Sequence, residues 1–153
     1  MIIKSVEPLK CASVRQVLPN YAGICQLIGE VYGFLGQSGT APAGPCLAIW
    51  YDGEYKESDV DGEALVPITG SPQARGRVQI VELPRVDAMA TLVFKGPYIR
   101  LHEAYTAMLT WIEENGYAIQ GYNREIYLQS NSDGRQDDDS CVTEIQFPVS
   151  KSA

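Results

Sequence analysis

The sequence lacks several features that would narrow its class. No apolar run approaches the roughly 18 residues that a membrane-spanning helix needs. The four cysteines form no C-x-x-C pair, and the one histidine, His102, is distant from them in sequence. Because a zinc site needs three or four clustered ligands, we predict no metal. The amino terminus has no basic flank followed by a long apolar stretch, so we expect a cytoplasmic protein.

Basic residues are also scarce. The 153 residues include 12 Lys and Arg against 19 Asp and Glu, which gives a net charge of −7. A nucleic-acid-binding protein normally presents a basic surface to the phosphates, so we expect no direct contact with nucleic acid. The P-loop, the G-x-G-x-x-G motif and the Ser-His-Asp order are absent as well. We therefore predict no cofactor.

What the sequence does contain is an internal repeat. Tyr21 and Tyr98, 77 residues apart, each open an amphipathic stretch, and these stretches end at Gly39 and Gly116. At the same offset the run 47–51 falls on 124–128, and at an offset of 81 the run 63–67 falls on 144–148. Each copy has the pattern of a strand, a helix and two strands. We predict one domain over 1–153, with repeats at about 1–70 and 78–150 and a linker at about 71–77.

The strand at 124–128 carries the candidate site. Because strand side chains alternate between faces, Glu125 and Tyr127 share one face and Ile126 and Leu128 the other. We expect the apolar pair to pack under the helices. The repeat places Trp50 at the position of Tyr127, and aromatic faces beside one carboxylate suit an apolar cation. The alternative is that Glu125 faces solvent or pairs with Arg124 or Arg100.

Three further positions are weighed in the same way. Glu144 is expected on the Glu125 face, as a second polar contact or as an exposed residue. Tyr98 stands at the helix start, where it either reaches the mouth of a cleft or packs at the junction. His102 is interpreted as a surface residue. The Asp-rich loop at 131–139 lacks the spacing of a calcium-binding loop and is interpreted as solvated.

Several motifs in order resemble the GyrI-like small-molecule-binding domains, the family of the effector-binding halves of multidrug-responsive transcription activators and of stand-alone gyrase inhibitors. The motifs are Ile49-Trp50-Tyr51-Asp52, Asp61-Gly62-Glu63 with Val66-Pro67-Ile68, Lys95-Gly96-Pro97-Tyr98 with Tyr105 and Trp111-Ile112, Arg124-Glu125-Ile126-Tyr127-Leu128, and Thr143 to Val149. The resemblance spans nearly the whole chain.

The resemblance implies an α+β fold: a tandem duplication of a β-α-β-β module, a curved antiparallel sheet with two helices on one face, and a ligand cleft at the pseudo-twofold axis. It also implies that Glu125 is the buried acidic contact for hydrophobic cations. The expected ligand-binding residues are Trp50, Tyr98, Glu125, Tyr127 and Glu144. The activators carry a DNA-binding domain before this module, whereas this sequence shows none, so we expect no complete regulator in this chain alone.

Three functions remain open at this stage. The first is a stand-alone module that binds or senses a hydrophobic, often cationic, small molecule. The second is a hydrolase that opens electrophilic cyclopropane-containing compounds, with Glu125 and Tyr127, or Tyr98, as the acid and base. The third is an interaction module, such as an inhibitor of DNA gyrase, with a protein partner in the transcription or gyrase machinery. No membrane contact is expected.

Overall fold

The computed structural model describes residues 1–130 and 137–152, so the predicted loop at 131–139 lies mostly outside the described residues. The chain divides into two compact units, Glu7–Arg85 and Met1–Val6 with Val86–Ala153, which we describe separately. The strands are β1 (Ile2–Val6), β2 (Leu9–Leu18), β3 (Leu47–Trp50), β4 (Val60–Pro67), β5 (Gln79–Leu83), β6 (Val86–Lys95), β7 (Tyr117–Ile119), β8 (Asn123–Gln129) and β9 (Val142–Lys151). The helices are α1 (Ile24–Ser38) and α2 (Leu101–Glu114), each preceded by a 3₁₀ turn, Tyr21–Gly23 and Tyr98–Arg100. No helix in these ranges is long and apolar enough to cross a membrane.

Each unit combines an antiparallel sheet with one helix, which confirms the α+β class. In the unit Glu7–Arg85 the strand order is β5-β2-β4-β3, and α1 lies against β2 and β4. In the other unit the order is β1-β6-β9-β8, with β7 paired to the end of β9 and α2 against β6 and β7.

The elements confirm the internal repeat. Strand β6 begins and ends 77 residues after β2, and α2 begins 77 residues after α1. The two predicted helix stops also match, because Gly39 and Gly116 have φ values of +68° and +76°. A left-handed backbone after a helix is easily reached only by a residue without a Cβ.

Three strands were not predicted, the short β7 and the edge strands β1 and β5. Strands β1 and β5 are again 77 residues apart, but each pairs with the copy to which it does not belong in sequence. Strand β1 lies on β6, with Ile2 opposite Thr91, and β5 lies on β2, with Gln79 opposite Ser13. Each repeat therefore has the order β-β-α-β-β in sequence. The outer strand of each compact unit comes from the other repeat.

The core beneath α2 shows which face of the strands β1-β6-β9-β8 the helix covers. Strand β9 presents Ile145, Phe147 and Val149 to Leu101, Ala104, Met108 and Ile112 of the helix. These helix residues recur at steps of three and four, as the amphipathic pattern predicted. Because directly opposed residues of antiparallel strands point to the same side, this core shows which residues of neighbouring β8 face the helix.

Candidate functional site

Glu125 lies on the same face of the sheet as α2. It stands opposite Ile145 in the β8–β9 register, and Tyr127 stands opposite Thr143. Both are buried, with 7% and 8% of their surface exposed. The expectation that Ile126 and Leu128 pack under the helix is therefore wrong, and Leu128 is 48% exposed. A rule that sends the apolar pair inward fails here because the buried face of β8 carries the polar groups.

Two tyrosine hydroxyls bond the Glu125 carboxylate, and an asparagine amide bonds one of these hydroxyls. Tyr105, on α2, donates its hydroxyl to Oε2 of Glu125, and Tyr127 donates its hydroxyl to Oε1 at 2.9 Å. Asn123 Nδ2 in turn donates to the Tyr105 hydroxyl oxygen at 2.7 Å. The result is a relay of hydrogen bonds in which both carboxylate oxygens accept from O–H donors. Such donors fix the side chain and stabilise negative charge away from water.

Aromatic rings surround this carboxylate. The Tyr98 ring, at the start of the segment leading into α2, meets the Tyr127 ring edge-to-face at 6.0 Å between centroids. The Tyr105 ring meets Phe147 edge-to-face at 5.9 Å. The two tyrosines that bond the acid are thus each packed against a further aromatic ring. We name Asn123, Glu125, Tyr98, Tyr105 and Tyr127 the Glu125 cluster.

Burial and the charge of Glu125 together raise the pKa of Tyr127 well above its ordinary value of 10.0. Desolvation is the larger cause, since it disfavours the phenolate. Tyr127 consequently remains a hydrogen-bond donor throughout the neutral range and does not act there as a base.

This raised pKa predicts how stability falls in alkali. The unfolded chain releases the tyrosine proton near pH 10, whereas folded Tyr127 retains it, so the stabilisation is complete below pH 10 and is lost as the pH rises toward the folded pKa. We expect Tyr127→Phe to make the decline above pH 10 shallower, by about 1.4 kcal/mol per pH unit. Urea unfolding between pH 8 and 12 measures this. Tyr55→Phe, at a ring 77% exposed, should leave the slope unchanged, and equal slopes in all three proteins would contradict the prediction.

The first copy repeats the aromatic geometry without the acid. Trp50 packs edge-to-face on Tyr21 at 4.9 Å, as Tyr127 does on Tyr98. Trp50 is 6% exposed, and its indole N–H has no hydrogen-bond partner among the described residues. The counterpart of Glu125 is the buried Ala48. The cleft between the copies, with Trp50 and Tyr127 on either side of it, stays a prediction.

Glu144 does not share the face of Glu125. It stands opposite Ile126 in the β8–β9 register, one residue out of phase with Glu125, so its side chain points to the other side of the sheet. There it forms an ion pair with Lys4 at 3.2 Å and accepts from Gln146 Nε2 at 2.5 Å. The expectation that placed Glu144 beside Glu125 is wrong. It assumed that Glu144 pairs with Glu125 or Tyr127 across the two strands, whereas it pairs with Ile126.

Two other candidates are placed as follows. His102 is exposed, on the first turn of α2. Arg100, considered as a partner for Glu125, forms a two-point hydrogen bond with Glu103 at 3.0 and 3.1 Å. Within the described ranges, no three His, Cys, Asp or Glu side chains come together as the ligands of a metal would.

Sequence reasoning missed Tyr105 and Asn123 as members of the cluster. By its spacing Tyr105 fits the apolar stripe of α2, which predicts a packing role. Its hydroxyl was the available signal, because a phenol on the buried stripe of a helix needs a polar partner beneath it. Asn123 gave no pattern of its own, since only the approach of β8 to α2 brings its amide to Tyr105.

The profile of the GyrI-like small molecule binding domain matches residues 1–150. The chain belongs to this family. The resemblance inferred from the motifs is thereby confirmed. No curated protein sequence matches the chain significantly.

Solved structures give the same fold. The crystal structure of the EcmrR C-terminal domain matches with a TM-score of 0.87 and 28% identity, over 98% of this chain and 96% of that domain. The EcmrR chain in the cryo-EM structure of the EcmrR–DNA complex in EcmrR-RPo matches equally well, but this chain covers only 57% of it. This GyrI-like chain thus spans little more than half the length of that EcmrR chain.

Two more distant structures share the fold alone. A hydrolase encoded by lin2189 from Listeria innocua has a TM-score of 0.71 and 13% identity, over 97% of this chain and 91% of that one. SAV2435, solved bound to tetraphenylphosphonium, has a TM-score of 0.59 and 14% identity, over 97% of this chain and 93% of that one.

Proposed function

We propose that this GyrI-like chain binds a hydrophobic small molecule carrying a positive charge, and that Glu125 is the acidic contact. The observation that supports the proposal is the Glu125 cluster, a carboxylate 7% exposed whose two oxygens accept from Tyr105 and Tyr127. Burying a charge costs several kcal/mol in practice, and hydrogen bonds recover only part of it. An organic cation that arrives beside the carboxylate would add a favourable charge interaction to these hydrogen bonds.

The rings support the ligand class. Tyr98, Tyr105 and Tyr127 present aromatic surface around the acid, and a cation against such a ring gains about 0.5–2 kcal/mol. A hydrophobic cation therefore gains from the rings and from the carboxylate together. SAV2435, which shares the fold, binds tetraphenylphosphonium, a cation of this kind.

Binding is favoured over hydrolysis by the state of the two candidate catalytic groups. Both oxygens of Glu125 already accept from tyrosine hydroxyls, so a water to be activated would compete with those donors. Tyr127 keeps its proton, because its pKa is raised well above 10.0. The hydrolase remains the second candidate, since Tyr127 as a donor and Glu125 as an acceptor are the roles that acid–base chemistry needs. Its fold relative is the hydrolase encoded by lin2189.

The similarity to EcmrR indicates the biological use. EcmrR forms a complex with DNA, and this chain matches its C-terminal domain. We infer that the chain is the effector-sensing part of a regulatory system, and that contact with DNA falls to other protein segments. A protein partner in transcription would then bind differently to the ligand-bound and ligand-free chain. We favour this role over the inhibition of gyrase.

Titration with tetraphenylphosphonium by isothermal calorimetry tests the proposal. We expect saturable micromolar binding by the wild type and affinity at least tenfold weaker for Glu125→Gln, about 1.4 kcal/mol. The amide keeps the shape and one acceptor but loses the charge. Glu144→Gln is the matched control, because Glu144 is a carboxylate of the neighbouring strand on the other sheet face, and its affinity should equal that of the wild type.

The outcomes separate the alternatives. Equal affinities for the wild type and Glu125→Gln would overturn the role of the carboxylate. Loss of affinity in Glu144→Gln alone would move the site to the other face. Time-dependent loss of a cyclopropane-containing electrophile, followed by chromatography and absent in Glu125→Gln, would establish the hydrolase instead.

A further inference from the structure

A cavity lies on the side of the Glu7–Arg85 sheet that faces away from Trp50. In the β2–β4 and β3–β4 registers Arg15 stands opposite Glu63, whereas Trp50 stands opposite Gly62. Glu63 and Trp50 therefore point to opposite sides of this sheet. The cavity has a volume of about 560 Å³, within the usual range for small-molecule sites. All its lining residues belong to this one unit.

The floor of the cavity is a second buried carboxylate. Glu63 is 8% exposed and accepts a hydrogen bond from the Tyr51 hydroxyl. Burial and the Glu63 carboxylate raise the pKa of Tyr51, so this hydroxyl stays a donor. No Lys or Arg of the described residues lies within ion-pair distance of Glu63. The charge of Glu63 thus has a neutral partner but no matching cation in contact.

The neighbouring arginine shows what the cavity attracts. The Arg15 guanidinium lies 3.6 Å from the centroid of the Tyr51 ring, a cation–π contact. Its own charge is matched elsewhere, because Nε and Nη2 bond both oxygens of Asp61 at 3.0 and 2.8 Å. Arg77, the other arginine that lines the cavity, is matched in the same way, because it bonds both oxygens of Glu30 at 2.8 Å. With Arg15 paired to Asp61 and Arg77 to Glu30, Glu63 is the lining charge that has no partner of opposite charge in contact among the described residues. The cavity consequently favours an incoming cation over an anion.

The walls add hydrogen-bonding and apolar surface. Ser13 is 3% exposed, and its hydroxyl makes no hydrogen bond to any described residue. The side-chain amide of Gln79 makes none either, in the same ranges. On β5, Val81 and Leu83 provide an apolar wall. We propose that this cavity binds a small primary amine, with the ammonium group on Glu63, a polar substituent on Ser13 or Gln79, and a compact apolar body against β5.

This site differs in ligand from the Glu125 cluster. A primary ammonium has N–H donors for the free lone pairs of Glu63 and for the Ser13 oxygen, which a quaternary phosphonium lacks. The proposal is independent of the function proposed for Glu125, since it rests on other residues in the other compact unit. The two can therefore be tested in one protein.

Benzylammonium, titrated into Glu125→Gln protein and followed by ¹H–¹⁵N NMR, tests this inference. We expect saturable shifts at the amides of Ser13, Glu63 and Val81, and none of comparable size at Tyr127. Benzyl alcohol at equal concentration should produce less than a tenth of the shift. Shifts confined to the Tyr127 region, or equal shifts for the alcohol, would overturn the site.

Two variants complete the test. Glu63→Gln should weaken benzylammonium binding at least tenfold, with the fold checked by its NMR spectrum. Because this variant also alters the Tyr51 hydrogen bond, Val81→Trp provides a separate reading: it fills the cavity from the edge strand and leaves Glu63 in place. Undiminished binding in folded Val81→Trp would contradict the proposal. Tetraphenylphosphonium binding to the wild type reports on the Glu125 cluster alone, so failure at one site is distinguishable from failure at the other.

Discussion

Replacing Gly62 by Ala should destabilise the protein by about 1–3 kcal/mol, the usual cost of overpacking a core. A Cβ at Gly62 would lie 2.6 Å from Cζ3 and 3.0 Å from Cε3 of Trp50, and 3.4 Å from a methyl group of Leu18. Trp50 is 6% exposed and Leu18 2%, so neither can move aside into solvent. Urea unfolding followed by circular dichroism measures the loss, and a change in native tryptophan emission should accompany it.

A glycine on α1 gives the matched control. A Cβ at Gly29 meets nothing within 4 Å, and the position is inside a helix, where Ala is favoured over Gly by about 1 kcal/mol. Gly29→Ala should therefore stabilise the protein by about this amount. The same substitution thus has opposite signs at two sites. A neutral Gly62→Ala would mean that the Trp50 ring is free to shift.

This close contact connects Gly62 with the predicted binding surface. The indole lies across the strand because position 62 has no side chain, and this places its edge against Tyr21. The corresponding place opposite Tyr127 is Thr143, which is fully buried. If Trp50 lines the cleft, Gly62→Ala should also weaken ligand binding.

The sequence was informative wherever one pattern was repeated. The amphipathic stripes and the stops at Gly39 and Gly116 predicted both helices. The apolar spacing recurs at every turn of a helix, and the left-handed cap marks its end. Strands β1 and β5 left no comparable signal. Most of their side chains are at least partly exposed, so the alternation that marks a half-buried strand is weak.

The sequence separated Glu125 and Tyr127 from their neighbours on β8, but it did not predict which side of the sheet they occupy. Alternation correctly separated Glu125 from Ile126, but choosing the inner face by apolarity put the wrong pair inside. A buried carboxylate is a place where such a rule fails, because its burial is stabilised by partners from other elements. Tyr105 is 20 residues away in sequence, and nothing local indicates that its hydroxyl meets Glu125.

Glu125→Leu should destabilise the protein, because the buried Tyr127 hydroxyl loses its acceptor. A buried donor left without a partner costs about 1–3 kcal/mol. The Tyr105 hydroxyl loses a partner too, so the total should lie toward the upper end. By contrast, the triple variant Glu125→Leu, Tyr105→Phe, Tyr127→Phe removes the acid and both donors together. The amide of Asn123 loses the Tyr105 hydroxyl as its acceptor, but Asn123 is only partly buried. Replacing buried polar partners together with apolar groups of similar shape is often neutral or stabilising, so we expect the triple variant to be at least as stable as the wild type.

The first copy shows why this expectation is physically reasonable. At the positions equivalent to Glu125, Tyr105 and Tyr127 it carries Ala48, Ile28 and Trp50, an apolar set on the same arrangement of strand and helix. The fold therefore does not require a carboxylate at this place. Urea unfolding of the single and triple variants measures their stability, and tetraphenylphosphonium titration of each measures their affinity for the ligand. A triple variant that is stable but does not bind would assign the cluster to ligand recognition, whereas one less stable than Glu125→Leu would make the carboxylate a structural element.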